Sequence, residues 1–500
     1  MAGLSARDAV ASSIDRLPPI LPVLALGVAA VFAALLGPEA LTVAVLGLGG
    51  MIVVALRPQW GVATLLVMLM VQYGSRRYER EGVAGITSLI TAGSGLVTVN
   101  NMLGLFLALL LVHHVYRDGD WSFLRSRQVQ LVAAITAVLV FSGFVSGIAT
   151  DDAVQLGLRL TGGQDPSRLL VSRALFLVLF VFFLRKPQDL RMIVGLFVAL
   201  VLLTAWSGAS AGLTGAGRAE VADYRAGGVE VLIQSTQNPN RLAMISTLAM
   251  VFIWEYSQVH ALRLWRWASA AAILMLVLTV FLSASRGGVL GLAFTSLLLF
   301  MRRRAGGSRL LYGAAVVLLG TLLVGQVVPE QALERLASLP GLGGESGSVG
   351  SGSLERRGYT YGVAFDVWQQ SPLVGVGPGN WPYVRFVTDP LRSSAAPHSS
   401  ILKALAEGGL ITLALYVVLF IVTLRALLRC EHAPAAMARA GSDGLAWLVS
   451  ATRIALVSFL IFSLFADLWD LIFSYLLFGI AAVLIQRYSP FVGQPAPEPA

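Results

Sequence analysis

The chain is poor in charge and almost without cysteine. Only 13% of its 500 residues are charged and 56% are hydrophobic, whereas soluble domains average about 25% charged residues. The single cysteine, Cys430, excludes an internal disulfide, and no Cys/His cluster has the spacing of a metal site. These shortages argue against redox chemistry, cofactors and structural zinc, and they predict a polytopic membrane protein.

The net charge of +9 raises the question of a nucleic-acid partner. On an integral membrane protein, however, positive charge more often records orientation, because Lys and Arg collect in the cytoplasmic loops. We therefore expect membrane lipids, and no nucleic acid, as partners.

Apolar runs long enough to cross a bilayer recur along the chain. A transmembrane helix needs roughly 20 apolar residues, and about 14 segments qualify, or 12 if two short ones are rejected. The first follows Arg7 and Arg16 and is expected to act as an uncleaved signal anchor. The predicted fold class is all-α, with about 14 (12–14) transmembrane helices and a large periplasmic loop that contains amphipathic helix segments.

Arginine-rich loops set the expected orientation. With a cytoplasmic N-terminus, most basic loops fall inside, although "YGSRRYEREG" at 73–82 falls outside. The same assignment puts 235–243, 283–288 and the long loop 329–407 together on the periplasmic face. The predicted regions are a cytoplasmic N-terminus (1–19), N-terminal transmembrane helices (20–224), a central region that contains the long loop (225–430), C-terminal transmembrane helices (431–487) and a disordered cytoplasmic tail (488–500).

The long loop contains three kinds of sequence. Residues 341–353 have the composition of a flexible linker. Residues 354–370 place Tyr361, Ala364, Phe365 and Trp368 on one helical face, which predicts an amphipathic helix on the membrane surface or packed on the bundle. Residues 371–381 are expected to form a tight glycine and proline turn.

Candidate site residues gather on the predicted periplasmic face. Arg286, flanked by Ser283 and Ser285, is either an anion-binding residue or an arginine that reaches the lipid headgroups. The two glycines after it permit close ligand approach or helix packing. Asn238 and Asn240, just before the predicted span at 242–259, are equally suited to a helix cap and to ligand contact.

His398 is the only one of the five histidines predicted to be outside. A histidine has an unperturbed pKa of about 6.5, so it accepts a proton near neutral pH. Arginine forms paired hydrogen bonds with phosphate and keeps its charge. With Arg225 and Arg286, His398 therefore suits displacement of a lipid diphosphate by a hydroxyl, without a metal ion.

Four motifs resemble those of the O-antigen ligase and polymerase superfamily, in the family's order. They are "RAGG…NPNRLA" (225–243), "SASRGG" (283–288), "ERRGYTYGVA…SPLVGVGPGNW" (355–381) and "PHSSILKALAEGGL" (397–410). The resemblance implies a metal-independent, inverting glycosyltransferase of the bacterial inner membrane. Its active site would face the periplasm.

The resemblance also implies roles for individual residues. Arg225 and Arg286 would bind the diphosphate of an undecaprenyl diphosphate-linked glycan donor, and His398 would activate the acceptor hydroxyl. Arg357 would contact donor or acceptor, and Glu407 would hold the loop. Many members have Asn after the histidine where this chain has Ser399, which leaves open the residue that orients the imidazole.

The acceptor stays open between lipid A core, which gives ligation, and a second lipid-linked glycan, which gives polymerisation. A chain-length regulator is a further partner expected of a polymerase. The alternative function is an anion or inorganic-carbon transporter of the same superfamily, although polar residues at mid-membrane and inverted repeats are not evident. A non-catalytic scaffold is a third alternative.

Overall fold

A computed structural model describes eight stretches of the chain. They are residues 49–71, 99–146, 166–213, 239–259, 262–302, 348–381 (with 384 and 387), 398–468 and 471–495. The predicted spans at 20–37 and 310–328 lie outside the described residues.

The described residues fold into helices and contain no strand. Residues 49–56 are helical, and short 3-10 helices occupy Ser122–Arg125 and Ser489–Phe491. The further α-helices are α1 (Pro58–Val71), α2 (Val99–Asp118), α3 (Arg127–Val145), α4 (Pro166–Phe183), α5 (Pro187–Leu213), α6 (Pro239–Val259), α7 (Arg263–Leu282), α8 (Arg286–Arg302), α9 (Ser348–Gln370), α10 (Ser400–His432), α11 (Pro434–Ser442), α12 (Ala446–Phe465) and α13 (Ile472–Tyr488).

The all-helical membrane fold is confirmed in its coarse form. Within the described part of the chain, 7 helices are long and apolar enough to cross a membrane, and two shorter apolar helices accompany them. Every predicted span that falls wholly in described residues is helical over most of its length. The total of 14 stays a prediction, because the structure does not describe the whole chain.

Helix α6 lies at the centre of the bundle. It packs against α5, α7, α8 and α12, and 72% of its most apolar 18-residue segment is buried. Around this centre, α10 packs on α3 and α12, and α13 packs on α4. Many α6 side chains are small, including Ala243, Ser246 and Ala249, and small side chains let neighbouring helix backbones approach closely in a membrane.

Helix α9 packs on α10. Of the two expectations, a helix on the membrane surface or a helix packed on the bundle, the second is therefore confirmed. Two details of the prediction were wrong. The buried face carries Val363, Ala364 and Val367, whereas Phe365 is 47% exposed. In addition, residues 348–353, expected to be linker, form the first turns of α9, because each residue added to an existing helix gains a hydrogen bond that offsets the low propensity of Gly and Ser.

The C-terminal boundary also lies later than predicted. Tyr488 was assigned to the tail, but it is the fully buried last residue of α13. Its hydroxyl donates a hydrogen bond to the Asp443 carboxylate at 3.1 Å. This contact explains why the chain stays in regular structure past residue 487.

A group of ion pairs ties four helices together at one end of the bundle. Arg302 at the end of α8 pairs with Glu255 of α6 at 2.8 Å and with Glu431 of α10 at 2.9 Å. Glu431 also pairs with Arg453 of α12 at 2.5 Å and accepts a hydrogen bond from Ser450 at 2.9 Å. We call this group the ion-pair cluster (Glu255, Arg302, Glu431, Ser450 and Arg453). Arg286 begins α8, so it lies at the other end of the bundle, about 24 Å away at 1.5 Å per residue.

Candidate active site

Arg286 is the first residue of α8 and is half-buried. The chain reverses between α7 and α8 through Ser283, Ala284 and Ser285, with Ala284 at φ 45°. The Ser283 hydroxyl donates to the Val280 carbonyl at 2.6 Å, and the Ser285 hydroxyl accepts from the Gly288 amide at 2.9 Å. Both buried serines thus hold the tight turn that presents Arg286 at the helix start.

The glycines after Arg286 serve helix packing. A Cβ atom on Gly288 would lie 2.4 Å from Ala243 Cβ of α6, and one on Gly291 would lie 2.3 Å from Phe462 Cζ of α12. A Cβ on Gly287 would lie 3.1 Å from Phe465 Cβ, again on α12. Of the two uses left open by the sequence, close packing of α8 on α6 and α12 is the one that these contacts support.

The start of α6 lies against this turn. Asn240 is buried, and its Oδ1 accepts a hydrogen bond from the Ser285 hydroxyl. Arg241 donates to the Asp467 carbonyl in the α12–α13 connection at 3.2 Å. Asn240 therefore joins the first turn of α6 to the start of α8, and the structure does not test whether it also contacts a ligand.

His398 lies immediately before α10, is half-buried and has φ 50°. Ser399 is the N-cap of α10, and its hydroxyl accepts a hydrogen bond from the Leu402 amide at 3.4 Å. The residue that replaces the family's Asn therefore caps the helix. Positive φ is rare for residues other than glycine and marks a position that its surroundings hold in place.

The α12–α13 connection brings the three helix starts together. Ser400 donates from its amide and its hydroxyl to the Ala466 carbonyl at 3.1 and 2.9 Å, and Leu468 donates back to the Ser400 hydroxyl at 2.8 Å. Since Gly287 contacts Phe465 and Arg241 binds Asp467, α6, α8 and α10 all begin against residues 465–468. Arg286 and His398 therefore lie at the same end of the bundle, around one helix terminus.

A second ion pair supports this junction. Lys403, one turn into α10, pairs with Asp467 at 3.0 Å, and both side chains are at most 15% exposed. No motif marks this pair: Asp467 stands in a short apolar segment, and Lys403 resembles an ordinary polar residue of an amphipathic helix. The pair became visible only through packing of α10 against the end of α12.

Residues 371–381 fit into a break in α10. The helix is interrupted at Gly409, with φ 67° and ψ −171°. Here Leu410 and Ile411 donate from their amides to Pro372 and Leu373 at 2.9 and 3.2 Å. A Cβ on Gly409 would lie 2.3 Å from the Leu373 carbonyl carbon, so only glycine permits this backbone approach. Gly408 and Gly409, which follow Glu407, thus form the break in α10 against which the 371–381 turn packs.

Glu407 contacts the same turn through its main chain. Its carbonyl accepts hydrogen bonds from the Gly377 amide at 2.9 Å and from the Ser142 hydroxyl of α3 at 3.2 Å. Its side chain is buried. Because these contacts are made by the main chain, the implied role of the Glu407 side chain in holding the loop stays a prediction.

The remaining site predictions cannot be placed in full. Arg225 and Asn238 lie outside the described residues, and Arg357 lies in α9 with its side chain outside the described part. Among the side chains that are described, no group of three His, Cys, Asp or Glu residues could hold a metal ion.

The geometry around Arg286 suits an anion. The first amides of an α-helix have no intrahelical acceptor, and the helix dipole adds partial positive charge at this end. Arg286 adds a full positive charge at the start of the same helix. With a histidine at the neighbouring helix start, this end of the bundle places a positive charge suited to an anion beside a side chain suited to accept a proton.

Comparison with known proteins identifies the matched part of the chain. Residues 270–417 match the O-antigen ligase family, and a search of curated proteins finds no match. The matched range contains Arg286, the 371–381 turn and His398. The predicted resemblance to the O-antigen ligase and polymerase superfamily is confirmed over this range.

Proposed function

Because residues 270–417 match the O-antigen ligase family, we propose that the chain is a membrane glycosyltransferase. It transfers a glycan from an undecaprenyl diphosphate-linked donor to an acceptor hydroxyl. The observation that carries the proposal is the meeting of the Arg286 and His398 helix starts at residues 465–468. The family match supports ligase-type or polymerase-type transfer in general, and the donor, acceptor and residue roles are our proposal.

The donor diphosphate binds at the start of α8. The Arg286 guanidinium donates hydrogen bonds to its oxygens, the dipole of α8 adds partial positive charge, and Arg225 adds a second guanidinium as the family resemblance implies. Charge grows on the diphosphate as its bond to the sugar lengthens. Donors fixed before the reaction stabilise that charge without reorganising.

His398 acts on the acceptor. Its imidazole takes the proton of the acceptor hydroxyl while the hydroxyl oxygen attacks the anomeric carbon from the face opposite the diphosphate. One C–O bond forms, the bond between the sugar and the diphosphate breaks, and undecaprenyl diphosphate leaves. The configuration at the anomeric carbon is inverted, and no metal ion takes part. Asn240, Ser283 and Ser285 hold Arg286 in position. Arg357 contacts donor or acceptor, and Glu407 holds the loop.

The charge distribution supports a periplasmic site in the bacterial inner membrane. The end of the bundle opposite Arg286 carries Arg302, Arg439 and Arg453, as expected for the cytoplasmic end. In this orientation the acceptor is lipid A core or a second lipid-linked glycan, and a polymerase would work with a chain-length regulator. The transporter alternative has no support from the family match, which is to a ligase family.

The direct test incubates the purified full chain with a lipid-linked repeat unit, with and without lipid A core. Products are separated by size and by lipid class. Growth of lipid-linked glycan indicates a polymerase and transfer to core indicates a ligase. If neither product forms with folded protein, the proposed function is wrong.

Two variants and one control test the residue roles. We expect His398→Gln to lower the transfer rate by about 100-fold or more, as loss of a general base does. Arg286→Gln should give a similar loss, of about 100-fold. Arg266→Gln is the control, because Arg266 is exposed at the start of α7, at the opposite end. Equal loss in all three variants would assign the effect to the membrane environment and contradict the proposed roles.

A further inference from the structure

A cavity of about 330 Å³ opens at the bundle end opposite Arg286. It is lined by Arg191 of α5, Tyr256 and Val259 of α6, Gly441 of α11, Gly444 between α11 and α12, and Ala446 and Trp447 of α12. From Trp447 to Phe465 the α12 backbone rises about 27 Å at 1.5 Å per residue. The cavity is therefore remote from the candidate active site.

Arg191 is fixed at the rim of this cavity. Its Nη2 donates to the Asp443 carbonyl at 2.6 Å, and a Cβ atom on Gly444, which has φ 67°, would lie 3.2 Å from the same Nη2. Glycine thus lets the guanidinium lie directly on the loop backbone. Among the residues that the structure describes, Arg191 forms no ion pair, and a guanidinium has five N–H donors.

The acidic group beside the cavity is already engaged. The Asp443 carboxylate binds Arg487 Nε at 2.7 Å, the Tyr488 hydroxyl at 3.1 Å and Arg439 Nη2 at 3.8 Å. The hydrogen bond from Arg487 lowers the pKa of Asp443. Since one carboxylate faces several arginines, positive charge remains in excess around the cavity.

The other walls are aromatic. Tyr256 and Trp447 pack edge to face with ring centroids 5.2 Å apart, and the Trp447 indole donates to the Gly444 carbonyl at 3.1 Å. Trp and Tyr are enriched where lipid headgroups meet the apolar core. Val259, at the end of α6, is 54% exposed beside them, so this side of the cavity presents an apolar surface.

We propose that this cavity binds the headgroup of an anionic phospholipid. The headgroup phosphate accepts hydrogen bonds from the open donors of Arg191, and its glycerol backbone packs on Tyr256 and Trp447. Basic pockets between transmembrane helices are a recurrent form of lipid recognition. The proposal is independent of the transfer reaction, since its residues are remote from Arg286 and His398.

The test is native mass spectrometry of the full chain, purified in detergent and titrated with phosphatidylglycerol or phosphatidylcholine. We expect phosphatidylglycerol to bind roughly fivefold more tightly than phosphatidylcholine, because of the excess positive charge. Arg191→Gln should weaken phosphatidylglycerol binding about tenfold, as expected for loss of charge-assisted hydrogen bonds. Arg266→Gln, the exposed control on α7, should bind like the unmodified chain.

A second variant fills the cavity without changing charge. A Cβ atom on Gly441 would have no neighbour within 4 Å, so Gly441→Leu should leave the fold intact and still exclude the headgroup. Binding that is unchanged in both Arg191→Gln and Gly441→Leu would overturn the proposal. So would displacement of the lipid by millimolar inorganic phosphate, which would indicate a site for the free anion.

Discussion

Gly288→Ala tests whether the glycines after Arg286 hold α8 against α6. The new Cβ would lie 2.4 Å from Ala243 Cβ and 2.9 Å from Ser285 Oγ, whereas carbon atoms in contact prefer about 3.5–4.0 Å. Neither neighbour is the flexible end of a long side chain, so the two helices must separate by about 1 Å. Overpacking of this kind costs about 1–3 kcal/mol.

Part of that cost is offset. Replacing glycine by alanine inside a helix gains up to about 1 kcal/mol, so we expect a net destabilisation of about 1–2 kcal/mol. The effect on activity should be larger, because Arg286 begins the displaced helix. A misplacement of about 1 Å in a positioning group can cost on the order of 100-fold in rate.

Gly195→Ala in α5 is the matched control. It makes the same change within a helix, but a Cβ atom on Gly195 would have no neighbour within 4 Å. Thermal unfolding in detergent and the transfer rate are measured for both variants. We expect Gly195→Ala to be neutral or stabilised and Gly288→Ala to lose both stability and rate. If the two variants behave alike, close packing is not the reason for glycine at position 288.

Three further variants address other contacts. Lys403→Met removes the ion pair with Asp467 and should destabilise the fold by about 3 kcal/mol, whereas Lys403→Arg, the control, retains the charge. An unchanged free energy of unfolding in Lys403→Met would show that the pair contributes nothing. Arg302→Met removes the ion pair with Glu255 and one of the two ion pairs of Glu431, which keeps Arg453, and should cost about 3 kcal/mol. The KM of the folded protein should not change, because Arg286 is at the other end. Hydrogen bonds from Ser122 and Arg185 lower the pKa of Asp120 to about 2, so the ionised carboxylate stabilises the fold above about pH 4 and this contribution is lost as the pH falls towards 2. The melting temperature of Asp120→Asn should therefore fall less between about pH 5 and pH 3 than that of the unmodified chain, and an equal fall would refute the assignment.

The helices could be predicted from the sequence because each depends on a local run of apolar residues. The Gly-Gly break after Glu407 could be predicted for the same reason, since glycine changes the backbone wherever it stands. The face of α9 could not. Phe365 and Trp368 are the larger apolar residues, but the helix buries Val363, Ala364 and Val367 against α10, and small side chains permit the closer approach.

The candidate site shows the same division. Arg286 and His398 stand out because a charge or an imidazole beside apolar runs is conspicuous. Residues 465–468, which join their helices, carry no motif, and Lys403 and Asp467 acquire their roles only from packing between segments distant in the chain. The function of the glycines at 287 and 288 likewise depends on which atoms lie across the helix interface.

Backbone strain is concentrated at this end of the bundle. Among the described residues, the non-glycine residues with positive φ are Ala284 and His398, and each such conformation costs on the order of 1–3 kcal/mol. Neither of these two conformations is held by neighbouring residues alone. The turn at Ala284 depends on the Ser285 contact to Asn240, and the start of α10 depends on the Ser400 contacts to Ala466. The ion-pair cluster joins the same four helices at the far end. Since those pairs fix the helices to one another, they help to maintain the strained turns that present Arg286 and His398.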